Sequence, residues 1–416
     1  MKYLILICAV LVSNKVYPQS GWYPLQSGDI NHIISIQFID AQTGYYISTS
    51  NVCFKTTNGG DQWNLIATFG TLINDMTFLN AATGYISACD GKVYRTTNSG
   101  ITWGTFNTGS SSCFSTITFL NSQTGWVSAQ SSYTSNTVYK TINGGVNWFL
   151  LGIIPGIERT FRIRFTDNQT GWAGGQKNSN YDGIFLRTTN GGANWIVTLD
   201  AADEVDDFYF INSQTGWVVS GGRVYRSTNS GGNWSEQLHV AGHFSTCSFV
   251  DANTGWAQGL SGSDGMIYKT TNSGLNWSSQ SVPGAYNLLT MYFINAQTGW
   301  TAGLLGKMYK TTNGGELITG IEPVGEEIPG IYSLSQNYPN PFNPATNIKF
   351  SIPKAGFVKL TVYDMLGREI ETLVNENLVA GTYKADWNAS NFSSGVFFYK
   401  IETAGFTDIR KMILVK

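Results

Sequence analysis

Short runs of alternating apolar and polar residues recur along residues 21–316, and each run ends at a turn rich in Gly, Asn or Ser. A period of two predicts β-strands with one face packed on a core. The second repeat shows four such runs, at residues 73–79, 84–89, 92–97 and from 103 onward. The pattern therefore predicts an all-β protein made of four-stranded units.

Two phrases recur in step along this region, a Thr-Gly-aromatic turn and a Thr-x-Asn-x-Gly turn. Successive glycines of the first phrase are 40, 41, 46, 45, 39 and 44 residues apart, which is the repeat length of β-propeller blades. The glycines are Gly44, Gly84, Gly125, Gly171, Gly216, Gly255 and Gly299. The asparagines are Asn58, Asn98, Asn143, Asn190, Asn229, Asn272 and Asn313. The Asn-Gly or Asn-Ser pair suits a tight hairpin, because Asn tolerates a positive φ and its side chain can cap backbone N–H groups.

The two ends of this region complement each other. The last repeat ends at residues 314–316 without a tryptophan, whereas Trp22 lies before the first repeat. We therefore predict a seven-bladed β-propeller closed by N-terminal strand donation, which leaves no long sheet edge exposed. The fourth-strand tryptophans, expected to cover the hairpins rather than stack on a ligand, are Trp22, Trp63, Trp103, Trp148, Trp195, Trp234 and Trp277.

These motifs point to known families. The Thr-x-Asn-x-Gly-x-x-Trp phrase resembles the Asp-box, or BNR repeat, of sialidases and sortilin-type propellers, with Asn in place of the usual Asp. Together with the Phe-x-Asn-x-x-Thr-Gly-Trp turn, residues 21–316 are most similar to the Ycf48-like photosystem II stability and assembly factors. The resemblance implies a fold and says little about function.

Composition narrows the class of protein. The chain has 416 residues, 14% aromatic and only 12% charged, with 47 glycines, which fits a turn-rich secreted β-protein. Residues 21–320 contain 14 Lys and Arg against 17 Asp and Glu, a net charge of −3, so no basic face is available for nucleic acid. We expect a monomer that needs no cofactor.

The N-terminus and the cysteines indicate export. Residues 1–20 combine Lys2 with a short apolar run, which predicts a secretory signal peptide rather than a membrane span. The scatter of the four later cysteines favours buried thiols, with a Cys89–Cys113 bridge as the alternative. These cysteines are Cys53, Cys89, Cys113 and Cys247.

A second domain follows the repeats. Residues 317–331 form a Pro/Gly-punctuated acidic linker, and residues 332–416 alternate strands and turns as in an immunoglobulin-like β-sandwich. The phrases Tyr-Pro-Asn-Pro-Phe-Asn-Pro at 338–344, Met-Leu-Gly-Arg at 365–368 and Ser-Gly-Val-Phe-Phe-Tyr-Lys at 394–400 resemble the type A C-terminal sorting domain of the type IX secretion system. That resemblance implies recognition of residues 332–416 by the outer-membrane translocon, removal by a sortase-like peptidase, and release or attachment at the cell surface of one of the Bacteroidota or their relatives.

Alternation also sorts the first strand of each blade. Positions one and three residues before its last Phe are mostly polar, so they are expected to line a central channel. Asp75 and Asp207 are the only acids among them and are the candidate catalytic pair of a glycoside hydrolase, which needs two carboxylates. Arg162 and Arg164 could instead meet a ligand carboxylate.

Insertions at 130–137, 176–183 and 260–265 indicate a loop-rich face over blades three to six where a ligand would bind. The acids between residues 200 and 207 could hold Ca²⁺, but no EF-hand spacing supports a metal, so none is expected. The candidate binding residues are Arg159, Arg162, Arg164, Tyr181, Asp203, Glu204, Asp207, Tyr209, His243 and Tyr292.

Three functions remain open. The first is a secreted or surface-displayed module that binds a glycan or protein without catalysis. The alternative is a polysaccharide-acting glycoside hydrolase that uses Asp75, Asp207 or the acids at 203–207. The third is an assembly factor of the Ycf48 type, which the sorting domain disfavours because it implies the cell exterior.

Overall fold

The computed structural model describes residues 21–132, 135–177, 180–261, 264–282, 284–316, 321–324, 328–390 and 392–416. The predicted signal at residues 1–20 lies outside this part. The chain forms a larger compact unit, Trp22–Gly315, and a smaller one that contains Glu316–Lys416. Both are β-structures, and the one helical element in the described ranges is a 3₁₀ turn at Leu304–Gly306. No helix among these residues is long and apolar enough to cross a bilayer.

Seven antiparallel four-stranded sheets make up the described part of the larger unit, here numbered 1 to 7 in chain order. The innermost strands, one per sheet, are Ile33–Phe38, Ile73–Phe78, Cys113–Phe119, Arg159–Phe165, Val205–Phe210, His243–Phe249 and Leu288–Phe293. The second strands are Gly44–Ser48, Gly84–Ala88, Gly125–Ser132, Gly171–Gln176, Gly216–Ser220, Gly255–Ser261 and Gly299–Gly303. The third strands are Val52–Thr56, Lys92–Thr96, Ser135–Thr141, Gly183–Thr188, Arg223–Ser227, Asp264–Thr270 and Lys307–Gly315. The outer strands are Asn64–Thr68, Gly104–Asn107, Phe149–Ile154, Ile196–Ala201, Ser235–His239, Ser278–Ser281 and, in sheet 7, Gly21–Gln26.

The phenylalanine that ends each innermost strand joins neighbouring sheets. Phe249 stacks on Trp217 of the preceding sheet at 3.7 Å between centroids, and Trp277 of its own sheet meets it edge-on at 6.2 Å. A Cβ on Gly255 would lie 2.1 Å from the Phe249 ring, so the Thr-Gly-aromatic phrase requires glycine at this close approach. Such pairs contribute about 0.5–1.5 kcal/mol beyond their buried area. The seven stacked pairs are Phe38–Trp300, Phe78–Tyr45, Phe119–Tyr85, Phe165–Trp126, Phe210–Trp172, Phe249–Trp217 and Phe293–Trp256.

Two side chains hold each Asn turn. In the first copy, Thr56 Oγ1 accepts the N–H of Gly60 at 3.0 Å, and Asn58 Oδ1 accepts the N–H of Gln62 at 3.0 Å. The expected capping by Asn is therefore present. The positive φ values belong to Gly59 (71°) and Gly60 (96°) and not to Asn58, so that part of the turn prediction was wrong.

The N-terminal strand contacts sheet 7 through side chains as well as backbone pairing. Trp22 meets Phe293 of sheet 7 edge-on at 5.7 Å, and its Nε1 donates to Gln280 Oε1, in the outer strand of sheet 6, at 3.0 Å. Ser27 Oγ donates to the carbonyl of Gly306 at 2.7 Å. Residues far apart in sequence thus complete one four-stranded sheet.

Cys89 and Cys113 form a disulfide, which corrects the expectation of free thiols at these positions. Cys89 follows the second strand of sheet 2 and Cys113 begins the innermost strand of sheet 3, so packing of adjacent sheets brings together residues 24 positions apart. Sequence spacing alone does not reveal this proximity. Cys53 and Cys247 are buried free thiols, as predicted, and burial raises the pKa of both.

Two four-stranded sheets make up the described part of the smaller unit. Their shared core includes Phe350, Trp387, Tyr399 and Met412, all at most 1% exposed. Three residues of the predicted linker, Ile321–Pro323, form a strand along Gly381–Asn388, so the sheet begins before residue 332. The strands in chain order are Ile321–Pro323, Ser333–Leu334, Ala345–Ile352, Gly356–Tyr363, Glu369–Leu378, Gly381–Asn388, Gly395–Thr403 and Thr407–Leu414.

Candidate functional site

The innermost strands of all seven sheets surround a cavity of about 350 Å³. The polar positions that alternation assigned to a channel lie on its wall. The deeper layer, three residues before each phenylalanine, consists of Ser35, Asp75, Thr116, Arg162, Asp207, Thr246 and Thr290. The outer layer, one residue before it, consists of Gln37, Thr77, Thr118, Arg164, Tyr209, Ser248 and Tyr292.

A β-bulge precedes the deeper layer in each innermost strand, where the register shifts between the fifth and third residues before the phenylalanine. Bulges re-aim side chains next to functional sites. Most of the deeper layer is buried, whereas most of the outer layer is partly exposed. Thr166, in the turn after the sheet 4 strand, also lines the cavity. The cavity is therefore approached from the side of the Thr-Gly turns.

Asp75 is only 6% exposed, and both of its carboxylate oxygens contact donors. Its Oδ1 lies 3.2 Å from Arg162 Nη1 and accepts the Ser35 hydroxyl at 3.3 Å. Its Oδ2 accepts the Thr116 hydroxyl at 3.0 Å and the N–H of Ile117 at 3.2 Å. Both carboxylate oxygens of Asp75 thus have hydrogen-bond or ion-pair partners from other sheets.

Asp207, 1% exposed, is the second centre of the same network. Its Oδ1 lies 3.5 Å from Arg162 Nε and 3.3 Å from Arg164 Nη2, and its Oδ2 accepts the Thr246 hydroxyl at 2.6 Å. Burial opposes the charge of Arg162, but Asp75 and Asp207 outweigh it and raise the pKa of the guanidinium. One arginine thus bridges two carboxylates from sheets 2 and 5.

Arg164 differs from Arg162 in being accessible. Its side chain is 40% exposed, and its guanidinium lies 5.7 Å from the centre of the Tyr209 ring. Burial raises the pKa of Tyr209 and of Tyr292, so both hydroxyls stay protonated at neutral pH. The Gln37 side-chain amide donates to the carbonyl of Phe78 and accepts its N–H, both at 2.8 Å, so it already has partners within the protein. The accessible wall therefore carries a cation and two phenol hydroxyls.

A second titratable cluster lies at the start of the innermost strands of sheets 5 and 6, at the other end from the Thr-Gly turns. His243 Nε2 is 3.0 Å from Asp206 Oδ2, and Glu204 brings a third ligand atom within 4.8 Å of both. Burial raises the pKa of Asp206 to about 6, and the hydrogen bond to Asp206 raises the pKa of His243. One imidazole and two carboxylates could hold a divalent cation. The expectation of no metal stays a prediction.

The remaining predicted binding residues lie outside the cavity wall. Asp203 Oδ2 pairs with Arg223 at 3.2 Å, beside the His243 cluster. Arg159 lies over the Phe161 ring at 5.4 Å, and Tyr181 is 61% exposed. The structure thus separates the predicted set into a cavity group and a group on the loop face. The predicted loop insertions include residues outside the described ranges.

Sequence reasoning left two anchoring residues out of the site. Thr116 and Thr246 hold the two aspartates, each from the sheet that follows the aspartate along the chain. Alternation marked both positions as channel-facing, but nothing in the sequence shows that a threonine of one repeat meets an aspartate of another. The contact depends on the closeness of neighbouring sheets.

Comparisons with known proteins agree with this architecture. Residues 336–416 match the family described as Secretion system C-terminal sorting domain. None of the curated proteins matches the sequence. YCF48 from Cyanidioschyzon merolae is similar in structure, with a TM-score of 0.57 and 17% identity over 70% of this chain and 98% of that one. A structure described as YCF48 bound to D1 peptide gives the same TM-score and identity and is covered over 97% of its length.

PorZ, described as an essential bacterial surface component of the type-IX secretion system of Porphyromonas gingivalis, is also similar. Its TM-score is 0.52 at 12% identity, covering 92% of this chain and 59% of that one. At these identities the likeness concerns the fold alone. The sorting domain implies secretion to the cell surface or outside by the type IX system. The larger unit thus has a β-propeller fold similar to that of YCF48, and residues 336–416 match the secretion-system C-terminal sorting domains.

Proposed function

We propose that this protein is an exported seven-bladed propeller, closed by its N-terminal strand, that binds a glycan or a protein without catalysing a reaction. The observation that carries the binding role is the charge arrangement in the cavity. Both acids lie buried in a network with Arg162, while Arg164 stands partly exposed in front of them. A ligand that enters therefore meets a cation.

Ring closure is supported by the aromatic contacts. Phe38 of sheet 1 stacks on Trp300 of sheet 7 at 3.4 Å, which repeats the contact found between every other pair of neighbouring sheets. Trp22 takes the edge-on place in sheet 7 that the other fourth-strand tryptophans take in theirs. A closed ring would leave no inner sheet edge unpaired.

Binding to an acceptor-rich ligand follows from the donors on the wall. The formal charges of the two aspartates and two arginines cancel, but the groups differ in their exposure to solvent. Asp207 is 1% exposed, whereas the Arg164 side chain is 40% exposed. Arginine recognises carboxylate and other anionic groups through several N–H donors. The Tyr209 and Tyr292 rings offer flat surfaces beside it. An anionic group on a glycan or a protein chain is the ligand feature that fits.

The hydrolase alternative is less well supported by the same contacts. A glycosidase needs one carboxyl that gives up a proton and one that is free to attack or to activate water. Asp75 and Asp207 are instead occupied by arginine, hydroxyl and backbone donors. Each of the four carboxylate oxygens already has a partner among these groups.

The sorting domain supports partners outside the propeller. We propose that residues 332–416 are recognised by the type IX translocon and removed by a sortase-like peptidase, which leaves the propeller released or attached at the surface. YCF48 has been described bound to D1 peptide. Export favours an external ligand for this chain over the assembly role.

The test is a binding and turnover assay on the purified full chain. Acidic and neutral polysaccharides, and peptides with acidic ends, are immobilised, and retention and released reducing ends are recorded. We expect retention without release, lost in Arg164→Gln and kept in Arg159→Gln, a matched arginine outside the cavity. Release of reducing ends that disappears in a folded Asp207→Asn variant, while retention is kept, would instead establish a hydrolase. Retention unchanged in Arg164→Gln would refute the cavity as the binding site.

A further inference from the structure

A short turn in the sorting domain presents two large apolar side chains to solvent. Residues 364–368 connect the strands Gly356–Tyr363 and Glu369–Leu378. Met365 is 71% exposed and Leu366 79% exposed. They are the only adjacent pair of exposed large apolar residues in the described part of this unit.

The turn is rigidly built although its apolar residues do not pack. Asp364 Oδ1 accepts the N–H groups of Leu366 and Arg368, both at 2.9 Å, and Arg368 Nε donates to Asp364 Oδ2 at 2.6 Å. Gly367 supplies a φ of +75°, which closes the turn. These bonds lower the pKa of Asp364, chiefly through the Arg368 N–H, so the carboxylate stays charged at neutral pH. The shape of the turn is thus fixed without help from Met365 or Leu366.

The fold itself gives no reason for apolar residues here. The strand before the turn already fills the core with Leu360 and Val362, both 0% exposed. Single exposed apolar residues are ordinary, whereas adjoining exposed apolar side chains mark a candidate contact with a partner. Leu360 and Val362 would keep the core intact if the turn residues were polar.

The position of the turn agrees with a role in export. It extends beyond Tyr363, which pairs with Phe398, at the end of the sheet where Gly395 pairs with Leu414. The turn therefore shares one end of the sheet with the last residues of the chain. Both lie within residues 336–416, the part that matches a secretion-system sorting domain.

We propose that Met365 and Leu366 form a docking knob that inserts into an apolar groove on a protein of the type IX secretion machinery. The choice of partner follows from the match to a sorting domain, because a domain that directs export has to be contacted by the secretion machinery. This inference rests on the export role of residues 332–416. The proposal goes beyond that role by naming the surface of the domain that is contacted and by making the contact apolar.

The experiment follows export of the full chain in a bacterium with a type IX system, comparing the amount outside the cell with the amount in the periplasm. Burying one such side chain shifts a binding equilibrium by about tenfold or more. Met365→Ser with Leu366→Ser is therefore expected to reduce the exported fraction at least about tenfold, with uncleaved protein in the periplasm. Asp364→Ala, which keeps both apolar residues but frees the turn, is expected to reduce export to a smaller extent.

Val379→Ser is the matched control, since Val379 is 44% exposed and follows the strand end at Leu378, which pairs with Gly356 at the opposite end of the sheet. It should be exported normally. Thermal unfolding of each purified variant should match the parent, and Leu366→Gln alone replaces the double variant if that one unfolds. Normal export of the folded knob variant would overturn the proposal, as would an equal defect in the control. Normal export of a chain lacking residues 332–416 would refute the export role itself.

Discussion

Neutralising Asp207 is expected to destabilise the larger unit strongly, because this carboxylate lies at the centre of the buried charge network of the cavity. In Asp207→Asn the shape is kept, but the charge facing Arg162 at 3.5 Å and Arg164 at 3.3 Å is lost. Removing one partner of a buried ion pair costs about 3–5 kcal/mol, since the other charge stays buried. The share from Arg164 is only about 0–1 kcal/mol because its side chain is 40% exposed. Arg162 keeps its ion pair with Asp75 at 3.2 Å, so we expect the lower end of that range, a loss of about 3 kcal/mol.

Urea unfolding followed by tryptophan fluorescence measures this loss, because all but one of the 13 tryptophans lie in residues 22–315. The control is Asp203→Asn, whose 50% exposed side chain pairs with Arg223 and should change stability by less than about 1 kcal/mol. Combining Asp207→Asn with Arg162→Met should be less damaging than the sum of the two single changes, because both changes remove the same ion pair. An Asp207→Asn protein as stable as the parent would refute the view that the charge network stabilises the larger unit.

Three further predictions follow from packing and titration. Replacing Cys89 and Cys113 together with Ser should lower the urea stability by about 3 kcal/mol, the value for closing a loop of this length, and should abolish the effect of reductant on the unfolding midpoint. Gly255→Ala should cost about 1–3 kcal/mol in the same assay, because the new methyl overlaps the phenylalanine ring of its own sheet. The raised pKa values of Asp206 and His243 mean that folding takes up protons, so stability should fall as the pH rises from about 4 through 6 and above. A pH series of thermal unfolding should show this slope, and it should flatten in Asp206→Asn with His243→Gln.

The repeat was predictable because its signals are local. Alternation in a single strand sufficed to place Asp75, Arg162 and Asp207 on one wall, and the spacing of the Thr-Gly and Asn turns marked each four-stranded unit. The glycine of the first phrase could be located but not explained. Its reason is the ring of a phenylalanine six residues earlier, which only the folded sheet brings into contact.

Contacts between repeats could not be predicted from the sequence. The Cys89–Cys113 disulfide and the hold of Thr116 on Asp75 each join neighbouring sheets, and no spacing rule within one repeat encodes them. The same limit affected the ligand face. The lengths of the loops predicted that a ligand binds on the face near His243. The layering of buried and exposed polar residues in the cavity favours the side of the Thr-Gly turns instead. That layering depends on β-bulges, which the sequence pattern does not predict.

The two polar layers of the cavity explain how the innermost strands could both stabilise the larger unit and bind the proposed ligand. Most side chains three residues before the phenylalanines are buried in the cavity wall, so charges there are tolerated only when paired. Asp75, Arg162 and Asp207 meet that condition with one another and with neighbouring hydroxyls. Two residues further along the strands the wall is partly exposed, and Arg164 can keep an accessible guanidinium because Asp207 behind it fixes its position. Pairing in the deep layer thus preorganises the outer one, and the loss of Asp207 should weaken ligand binding even where the protein stays folded.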